Sequence, residues 1–309
     1  MIKQKPFYLL QNNTSLENDF KNIFYYHVEK CAGTTLVSLL INQAKSALRV
    51  YGSLYNLYNS EGLVKKSAYS KIINNEISEK DKIADFIVGH LPFGSDKHFE
   101  RNAFFRIASL RDPIARSISM YNMHIQRSLI TREDEINELY KSDLMHSNYI
   151  TRFFSGTELY KTKATEEHYI NAVNNIRKLD VVFDASMLIE TVSYLQSYFN
   201  LPDYLFQSWN VLDSEKYDYN SDFVKIVEEN NQYDIMIYNE IFKKNKIIYK
   251  NSINPKLLKF NKNKNFFYSS EKIKLNNKSK FFFNNNQFDK IKKILKDNKV
   301  EIIKKKVNL

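Results

Sequence analysis

Residues 22–40, NIFYYHVEKCAGTTLVSLL, decide the fold of this 309-residue chain. The apolar and aromatic run from Ile23 to Val28 predicts a buried strand, and a turn of residues 29–33 follows it. Thr34 and Thr35 then open a predicted helix, because apolar residues recur at helical spacing at Leu36, Leu39, Leu40 and Ala44. A strand, a tight turn and a helix in this order place a row of backbone N–H groups at a positive helix N-terminus.

We expect this turn to bind a phosphate or a sulfate group. Lys30 adds a positive charge, and the two threonine hydroxyls add hydrogen-bond donors. The alternative is an ordinary strand-to-helix turn with a solvated lysine, because short motifs also occur by chance.

Spacing excludes two related loops. A nucleoside-triphosphate P-loop needs GxxxxGK followed by Ser or Thr, whereas this lysine precedes the only glycine of the stretch. A cysteine phosphatase loop needs an arginine six residues after Cys31, where Val37 stands.

Charge is distributed unevenly along the chain. The net charge is +11, but residues 243–309 hold 20 lysines and 4 acidic residues, a net +16, which leaves −5 for residues 1–242. A mildly acidic body argues against a specific nucleic-acid binder. The apolar content of 43% is enough for a full core in one domain of moderate size.

The single cysteine excludes an intramolecular disulfide, which fits a reducing compartment. No apolar run approaches the roughly 20 residues of a membrane span, and residues 1–13 lack the apolar segment of a signal peptide. We therefore expect a soluble protein that is not secreted through a cleaved signal.

Strands and helices are predicted to alternate along the chain. Short apolar runs predict further strands within residues 83–94, at 103–110 and at 180–184. Asp112 is the predicted N-cap of a helix with Pro113 in its first turn, and further helices are predicted at 133–145, 166–178, 187–199 and 222–242. Residues 148–156, NYITRFFSG, are predicted to be a connector, and residues 45–82 to be irregular with one helix. This order predicts an α/β fold with a mainly parallel sheet.

The ends of these strands carry the candidates for chemistry. In open α/β sheets, ligands bind beyond the carboxyl ends of the strands. Three of the four predicted strands end there in polar residues, namely His27 to Lys30, Gly89 with His90, and Arg111 with Asp112.

The chain divides into three predicted parts. Residues 1–20 are a polar N-terminal lead-in, residues 21–246 are the main domain, and residues 247–309 are a basic C-terminal extension rich in Lys, Asn and Phe. The extension ends in a lysine-rich, helix-like segment at 288–306.

Together, the three strand ends resemble sulfotransferases of the heparan sulfate 2-O and 6-O type and the bacterial group similar to them. HVEKCAGTTL is similar to their 5′-phosphosulfate loop, usually HIPKTGGTSL; VGHLPFG is similar to their Gly-His segment, and RDPIARSISMY to their 3′-phosphate motif. NYITRFFSG and the pair Asp234 and Tyr238 are weaker matches in the expected places. The resemblance covers about residues 22–242 and implies a P-loop-type, three-layer α/β scaffold for the main domain.

The resemblance implies 3′-phosphoadenosine 5′-phosphosulfate (PAPS) as donor and a hydroxyl group, on a sugar, as acceptor. Lys30 would lie against the bridging oxygen, where negative charge develops as the S–O bond breaks. The loop that would bind the phosphosulfate comprises Lys30, Cys31, Ala32, Gly33, Thr34 and Thr35. Arg111 and Ser119, eight residues apart, would bind the 3′-phosphate.

A sugar hydroxyl has a pKa far above 7, so its attack on sulfur needs a proton acceptor. Relatives of the 3-O type use a glutamate eight residues after the loop lysine, and Ser38 stands here. His90 matches the histidine of the 2-O and 6-O type and is therefore the predicted general base. The alternative for His90 is a turn residue bonded to nearby backbone.

Two residues of the loop depart from the family pattern. Glu29 replaces the usual proline and is expected to repel the anionic donor unless it points away. Cys31 replaces the usual threonine and loses a hydroxyl donor; it is either a buried small residue or a thiol of low pKa at a helix start.

Other polar residues receive smaller roles. His27 is expected to orient the loop, Arg116 is either a solvated helix charge or a second donor contact, and Arg152 is not expected to bind either substrate. No metal is predicted, because the remaining histidines lack ligand spacing: His98, His124, His146 and His168.

We therefore interpret the chain as a PAPS-dependent O-sulfotransferase that acts on a polysaccharide or glycolipid by in-line transfer. The related animal enzymes are anchored in the secretory pathway, and because this sequence shows no anchor we expect a cytoplasmic enzyme. One alternative is a nucleotide-dependent kinase on a similar scaffold, which the missing GK[ST] and the missing Mg²⁺ carboxylate disfavour. Another is a non-catalytic polyanion-binding protein acting through the basic extension, which could equally dock an anionic carbohydrate acceptor. The acceptor and the oligomeric state stay open.

Overall fold

The computed structural model describes residues 7–10, 22–40, 44, 47–50, 84–99, 104–132, 134–156, 162–199, 201, 204–207, 219, 221–249, 266–267, 272–275, 280–281 and 301–304. Helices in these residues are α1 Gly33–Leu40, α2 Pro113–Gln126, α3 Ile136–Lys141, α4 Tyr149–Ser155, α5 Glu166–Ile176, α6 Leu188–Tyr198, α7 Ser221–Asn230 and α8 Gln232–Ile241. Strands are β1 Phe7–Leu10, β2 Ile23–Tyr26, β3 Ala47–Val50, β4 Phe86–Gly89, β5 Phe105–Leu110, β6 Val181–Asp184, β7 Tyr204–Gln207, β8 Ile247–Tyr249, β9 Phe266–Phe267, β10 Lys272–Leu275, β11 Lys280–Phe281 and β12 Glu301–Lys304.

The central sheet has six strands in the order β3-β4-β2-β5-β6-β8. The first five are parallel, and β8 runs antiparallel to β6 at the edge. Among the strands of this sheet, β2 comes first along the chain but lies between β4 and β5, so the chain adds strands on one side of β2 and then on the other. Such a reversal opens a crevice at the carboxyl ends of the strands.

Helices cover both faces of this sheet. Successive strand side chains point to opposite faces, so Phe24 and Tyr26 pack in one buried cluster with residues of α4, α5 and α8. Ile23 and Tyr25 pack in a second buried cluster with residues of α1 and α6. The predicted α/β fold, with helix layers on both sides of a mainly parallel sheet, is confirmed.

The strands predicted for the main domain are found within one to three residues of their expected bounds, and α5 and α6 lie where helices were expected. The predicted start of α2 is confirmed, because the Asp112 carboxylate accepts a hydrogen bond of 2.9 Å from the Ala115 N–H and Pro113 is the first helical residue. The acidic stretch at 133–145 forms only the short helix α3.

Residues 148–156 are not a connector, and that prediction is wrong. They contain α4, all of whose seven residues are buried. A helix buried on every side needs no polar face, so it lacks the amphipathic period by which sequence reasoning recognises helices.

The single helix predicted at 222–242 is two helices, α7 and α8, separated at Asn231. Asn231 has non-helical backbone angles (φ −127°, ψ 28°) and is fully buried. Its side chain donates to the Tyr140 hydroxyl (2.9 Å) and accepts from the Asn148 N–H (3.2 Å). Tertiary hydrogen bonds of this kind hold the break in place and leave no signal in the local sequence.

Further strands lie in regions where none was predicted. β1 lies within the predicted lead-in and pairs antiparallel with β7 and β9, and β3 lies within the segment expected to be irregular. β12 lies within the segment expected to be helix-like and pairs in parallel with β10, so that expectation is wrong for residues 301–304. One helix was expected within residues 45–82, and apart from 47–50 these residues lie outside the described part of the chain. The rest of the segment 288–306 also lies outside it.

β8 pairs with β6 just past residue 246, although the division of the chain at that residue stays a prediction. None of the helices in the described part of the chain combines the length and apolar character that crossing a bilayer requires.

Candidate active site

Strand register brings the predicted strand ends to one edge of the sheet. Tyr26, the last residue of β2, pairs with Gly89 at the end of β4 on one side and with Ala108 of β5 on the other. The next residue, His27, donates its N–H to the Gly89 carbonyl at 3.0 Å. The rings of His27 and His90 consequently lie edge to face, with centroids 4.9 Å apart.

The turn after β2 contains two residues with left-handed backbone angles. Lys30 and Ala32 both have left-handed backbone angles, with φ of 65° and 62°, on either side of Cys31. Left-handed residues of this kind line a concavity with N–H groups, although the Cys31 N–H between them is taken up by the Val28 carbonyl oxygen. Because α1 begins at Gly33, the positive end of that helix adds to the same concavity.

Neighbouring side chains leave no room for a Cβ at Gly33. A Cβ at this position would lie 2.1 Å from Cδ2 and 2.2 Å from Nε2 of His27, and 2.8 Å from the Tyr25 hydroxyl. The His27 ring is buried and stacks on the Tyr25 ring at 5.5 Å. This packing places the imidazole against the start of α1, and the orienting role of His27 stays a prediction.

Positive charges converge on the turn. Arg111 lies just past the end of β5, and its Nη1 donates to the Lys30 carbonyl oxygen at 3.2 Å. Burial lowers the pKa of Lys30, and the charges of Arg127 and Arg111 lower it further against the opposing effect of Glu29. Cations that repel one another in a partly buried site favour a bound anion, which would relieve the repulsion.

The other residues predicted to bind the donor lie in and beyond this turn. Ala32 is half-buried, Thr34 is exposed at the start of α1, and Thr35 is buried. Ser119 is half-buried on α2, two turns after Arg111. Their predicted contacts with a donor stay predictions.

Cys31 is a buried small residue. It is fully inaccessible, its N–H donates to the Val28 carbonyl at 3.3 Å, and its thiol lies 3.5 Å from the Glu29 carbonyl oxygen. Burial raises the pKa of the Cys31 thiol to about 12. The alternative of a low-pKa thiol is therefore wrong. The hydrogen bond from the Cys31 N–H to the Val28 carbonyl oxygen stabilises the turn.

Glu29 contacts His90, a pairing that sequence reasoning missed. The Glu29 Oε1 lies 2.8 Å from Nδ1 of His90, and the two side chains are only 12% and 18% exposed. Burial raises the pKa of Glu29, but the hydrogen bond and charge of His90, together with the charges of His146 and Arg116, outweigh burial and hold it at about 2. The buried Arg116 cation thus offsets part of the Glu29 charge that was expected to repel the donor.

Arg116 is not a solvated helix charge. It is fully buried on α2, lies 4.8 Å from the Tyr149 ring centroid, and donates weakly to the His146 carbonyl oxygen at 3.4 Å. The buried positions of α2 follow the helical period: Pro113, Arg116, Ser117, Met120, Tyr121 and His124. The helical spacing of these positions in the sequence could have predicted that Arg116 is buried. A contact of Arg116 with the donor stays a prediction.

A polar cluster at the end of β6 was also missed. The Tyr238 hydroxyl donates to the Asp184 carboxylate, and Lys246 Nζ donates to the Tyr238 hydroxyl at 2.5 Å. Burial and the Asp184 carboxylate raise the pKa of Tyr238. Leu110 pairs with Asp184, so the cluster lies at the same sheet edge as Arg111.

Arg152 has a neighbour within the fold, since its Nη2 lies 3.4 Å from the Asp143 carboxylate. In the described part of the chain, no group of three or more His, Cys, Asp and Glu side chains could hold a metal ion.

Comparison with known proteins supplies the family. No curated protein matches the chain. The model of the sulfotransferase family matches residues 14–305, which is nearly the whole chain and includes all three strand ends at the candidate site. Members of this family transfer sulfuryl groups to acceptor substrates. The chain belongs to the sulfotransferase family.

Proposed function

We propose that the protein transfers a sulfuryl group from PAPS to a hydroxyl group of a carbohydrate acceptor. The observation that carries the proposal is the convergence of Lys30 and Arg111 on a left-handed turn at the start of α1. The turn would hold the phosphosulfate of the donor. The assignment of the 3′-phosphate to Arg111 and Ser119 rests on the resemblance of the strand-end motifs. The carbohydrate acceptor rests on the resemblance of the strand-end motifs to the 2-O and 6-O type.

In the proposed reaction, His90 accepts the proton of the acceptor hydroxyl while its oxygen attacks sulfur. The bond between sulfur and the bridging oxygen breaks on the opposite side, and 3′-phosphoadenosine 5′-phosphate leaves. Lys30 stabilises the charge that develops on the bridging oxygen, since a cation in a partly buried site interacts more strongly than one in water. No covalent intermediate with the protein forms.

Calorimetric titration with 3′-phosphoadenosine 5′-phosphate tests the proposal. We expect micromolar binding to the wild-type protein, a loss of at least tenfold in affinity in Arg111→Ala, and little change in His90→Ala. Arg132→Ala is the matched control, because Arg132 is exposed beyond α2. ATP should compete poorly, since it lacks the 3′-phosphate. Absence of binding to the wild-type protein would refute the donor assignment.

A further inference from the structure

We propose that Glu29 is a positioning residue that holds the His90 imidazole with its Nδ1–H bonded to the carboxylate, so that Nε2 accepts the proton of the acceptor. This inference rests on the proposed function, in which His90 is the base. It assigns a role to Glu29, which lies in the turn after β2 and was predicted neither to bind the donor nor to take part in catalysis.

The backbone places the two side chains together. Glu29 is three residues past the end of β2, and His90 directly follows the end of β4. Because Tyr26 pairs with Gly89 and the His27 N–H donates to the Gly89 carbonyl, both side chains start from the same edge of adjacent strands. The 2.8 Å contact between Oε1 and Nδ1 thus belongs to the sheet register rather than to a mobile surface pair.

The surroundings keep Glu29 ionised. Several cationic or titratable groups face it: His90 after β4, His146 before α4, Arg116 and His124 on α2, and Lys30 in its own turn. The second carboxylate oxygen, Oε2, is buried and has no hydrogen-bond partner within the described part of the chain. The Glu29 carboxylate is therefore stabilised by the charged and titratable groups around it and by its direct contact with His90.

The chemistry of the pair follows from the carboxylate. An ionised carboxylate only accepts hydrogen bonds, so a ring nitrogen that lies 2.8 Å from it is the one expected to carry the proton, which leaves the lone pair of the neutral ring on Nε2. When the ring takes up the hydroxyl proton at Nε2, the imidazolium that forms lies against a fixed negative charge. The contact between Glu29 and His90 thus leaves Nε2 as the nitrogen that accepts the proton. It also stabilises the protonated ring that forms when the acceptor hydroxyl loses its proton.

The test compares wild type, Glu29→Gln, His90→Ala and the double variant, with exposed Glu138→Gln as control. Because the acceptor is unidentified, the assay is hydrolysis of PAPS, in which water replaces the acceptor. We expect a loss of about 100-fold in His90→Ala and about tenfold in Glu29→Gln at neutral pH. The double variant should lose no more than His90→Ala, because Glu29 acts through His90. The acidic limb of the wild-type pH profile should move to lower pH in Glu29→Gln.

A second readout is independent of activity. Nitrogen-15 NMR of the His90 ring should show the proton on Nδ1 in the neutral wild-type ring, and a shift toward Nε2 in Glu29→Ala. Additive losses in the double variant, or a wild-type ring protonated at Nε2, would overturn the inference while leaving donor binding intact. Failure of the wild-type protein to bind 3′-phosphoadenosine 5′-phosphate would instead overturn the proposed function and, with it, the chemical role of the pair.

Discussion

Asn148 and Asp234 cap each other's helices across 86 residues of sequence. The Asp234 carboxylate accepts from the N–H groups of Ile150 (2.9 Å) and Thr151 (2.7 Å) at the start of α4. In return, Oδ1 of Asn148 accepts from the N–H groups of Tyr233 (2.9 Å) and Asp234 (3.3 Å) at the start of α8. Two sequence motifs that looked like weak matches therefore form one structural unit.

Removal of this cap should destabilise the fold. In Asp234→Ala, two amides and the Thr151 hydroxyl lose a buried acceptor, so we expect a loss of about 2–4 kcal/mol in the free energy of unfolding. Urea unfolding measures this loss. Glu229→Ala is the control, because Glu229 is exposed on α7 and should change stability by about 0.5 kcal/mol or less. An unchanged urea midpoint in Asp234→Ala would refute the capping role.

The sheet and the edge at which the candidate site lies could be predicted from sequence because both depend on local patterns. Apolar runs marked the strands, and in a parallel sheet their carboxyl ends must meet at one edge. The register of Tyr26 with Gly89 and Ala108 places His27, His90 and Arg111 there, as expected.

Features that depend on distant partners could not be predicted. The cap of α4 comes from Asp234, more than 80 residues away, and the break at Asn231 depends on Tyr140 and Asn148. The contact between Glu29 and His90 likewise requires the register of β2 with β4. In each case the sequence shows the polar residue but not its partner.

Gly33 should tolerate no side chain. In Gly33→Ala, the new Cβ meets the His27 ring at 2.1–2.2 Å, so the imidazole must leave its stack on Tyr25. We expect a loss of about 1–3 kcal/mol in stability, measured by thermal unfolding, and weaker calorimetric binding of 3′-phosphoadenosine 5′-phosphate. His27→Ala combined with Gly33→Ala removes the ring and should recover part of the stability lost. A fully stable Gly33→Ala protein would contradict the close packing.

The Cys31 thiol should be inert in the folded protein. It is inaccessible, and burial raises its pKa to about 12, so little thiolate forms at pH 8. Reaction with an aromatic disulfide reagent should therefore proceed no faster than unfolding exposes the residue, and should be complete within seconds to minutes in concentrated guanidinium. Rapid labelling of the native protein at pH 8 would show that the turn opens readily around the start of α1.

The pairing of Glu29 with His90 should also appear in the pH dependence of stability. The folded pKa of Glu29, about 2, lies below the ordinary value of 4.5, so folding favours the ionised carboxylate. Its contribution is therefore present in full above about pH 4.5 and is lost as the pH falls toward 2. A shift of this size corresponds to about 3.5 kcal/mol at most, since one pKa unit is worth about 1.4 kcal/mol. Urea unfolding should show Glu29→Gln less stable than wild type at pH 5.5, with a difference in stability about two fifths smaller at pH 3.5. For the exposed control Glu138→Gln, the difference in stability from wild type should not change between these pH values. If the difference for Glu29→Gln were independent of pH, packing rather than charge would cause the loss of stability.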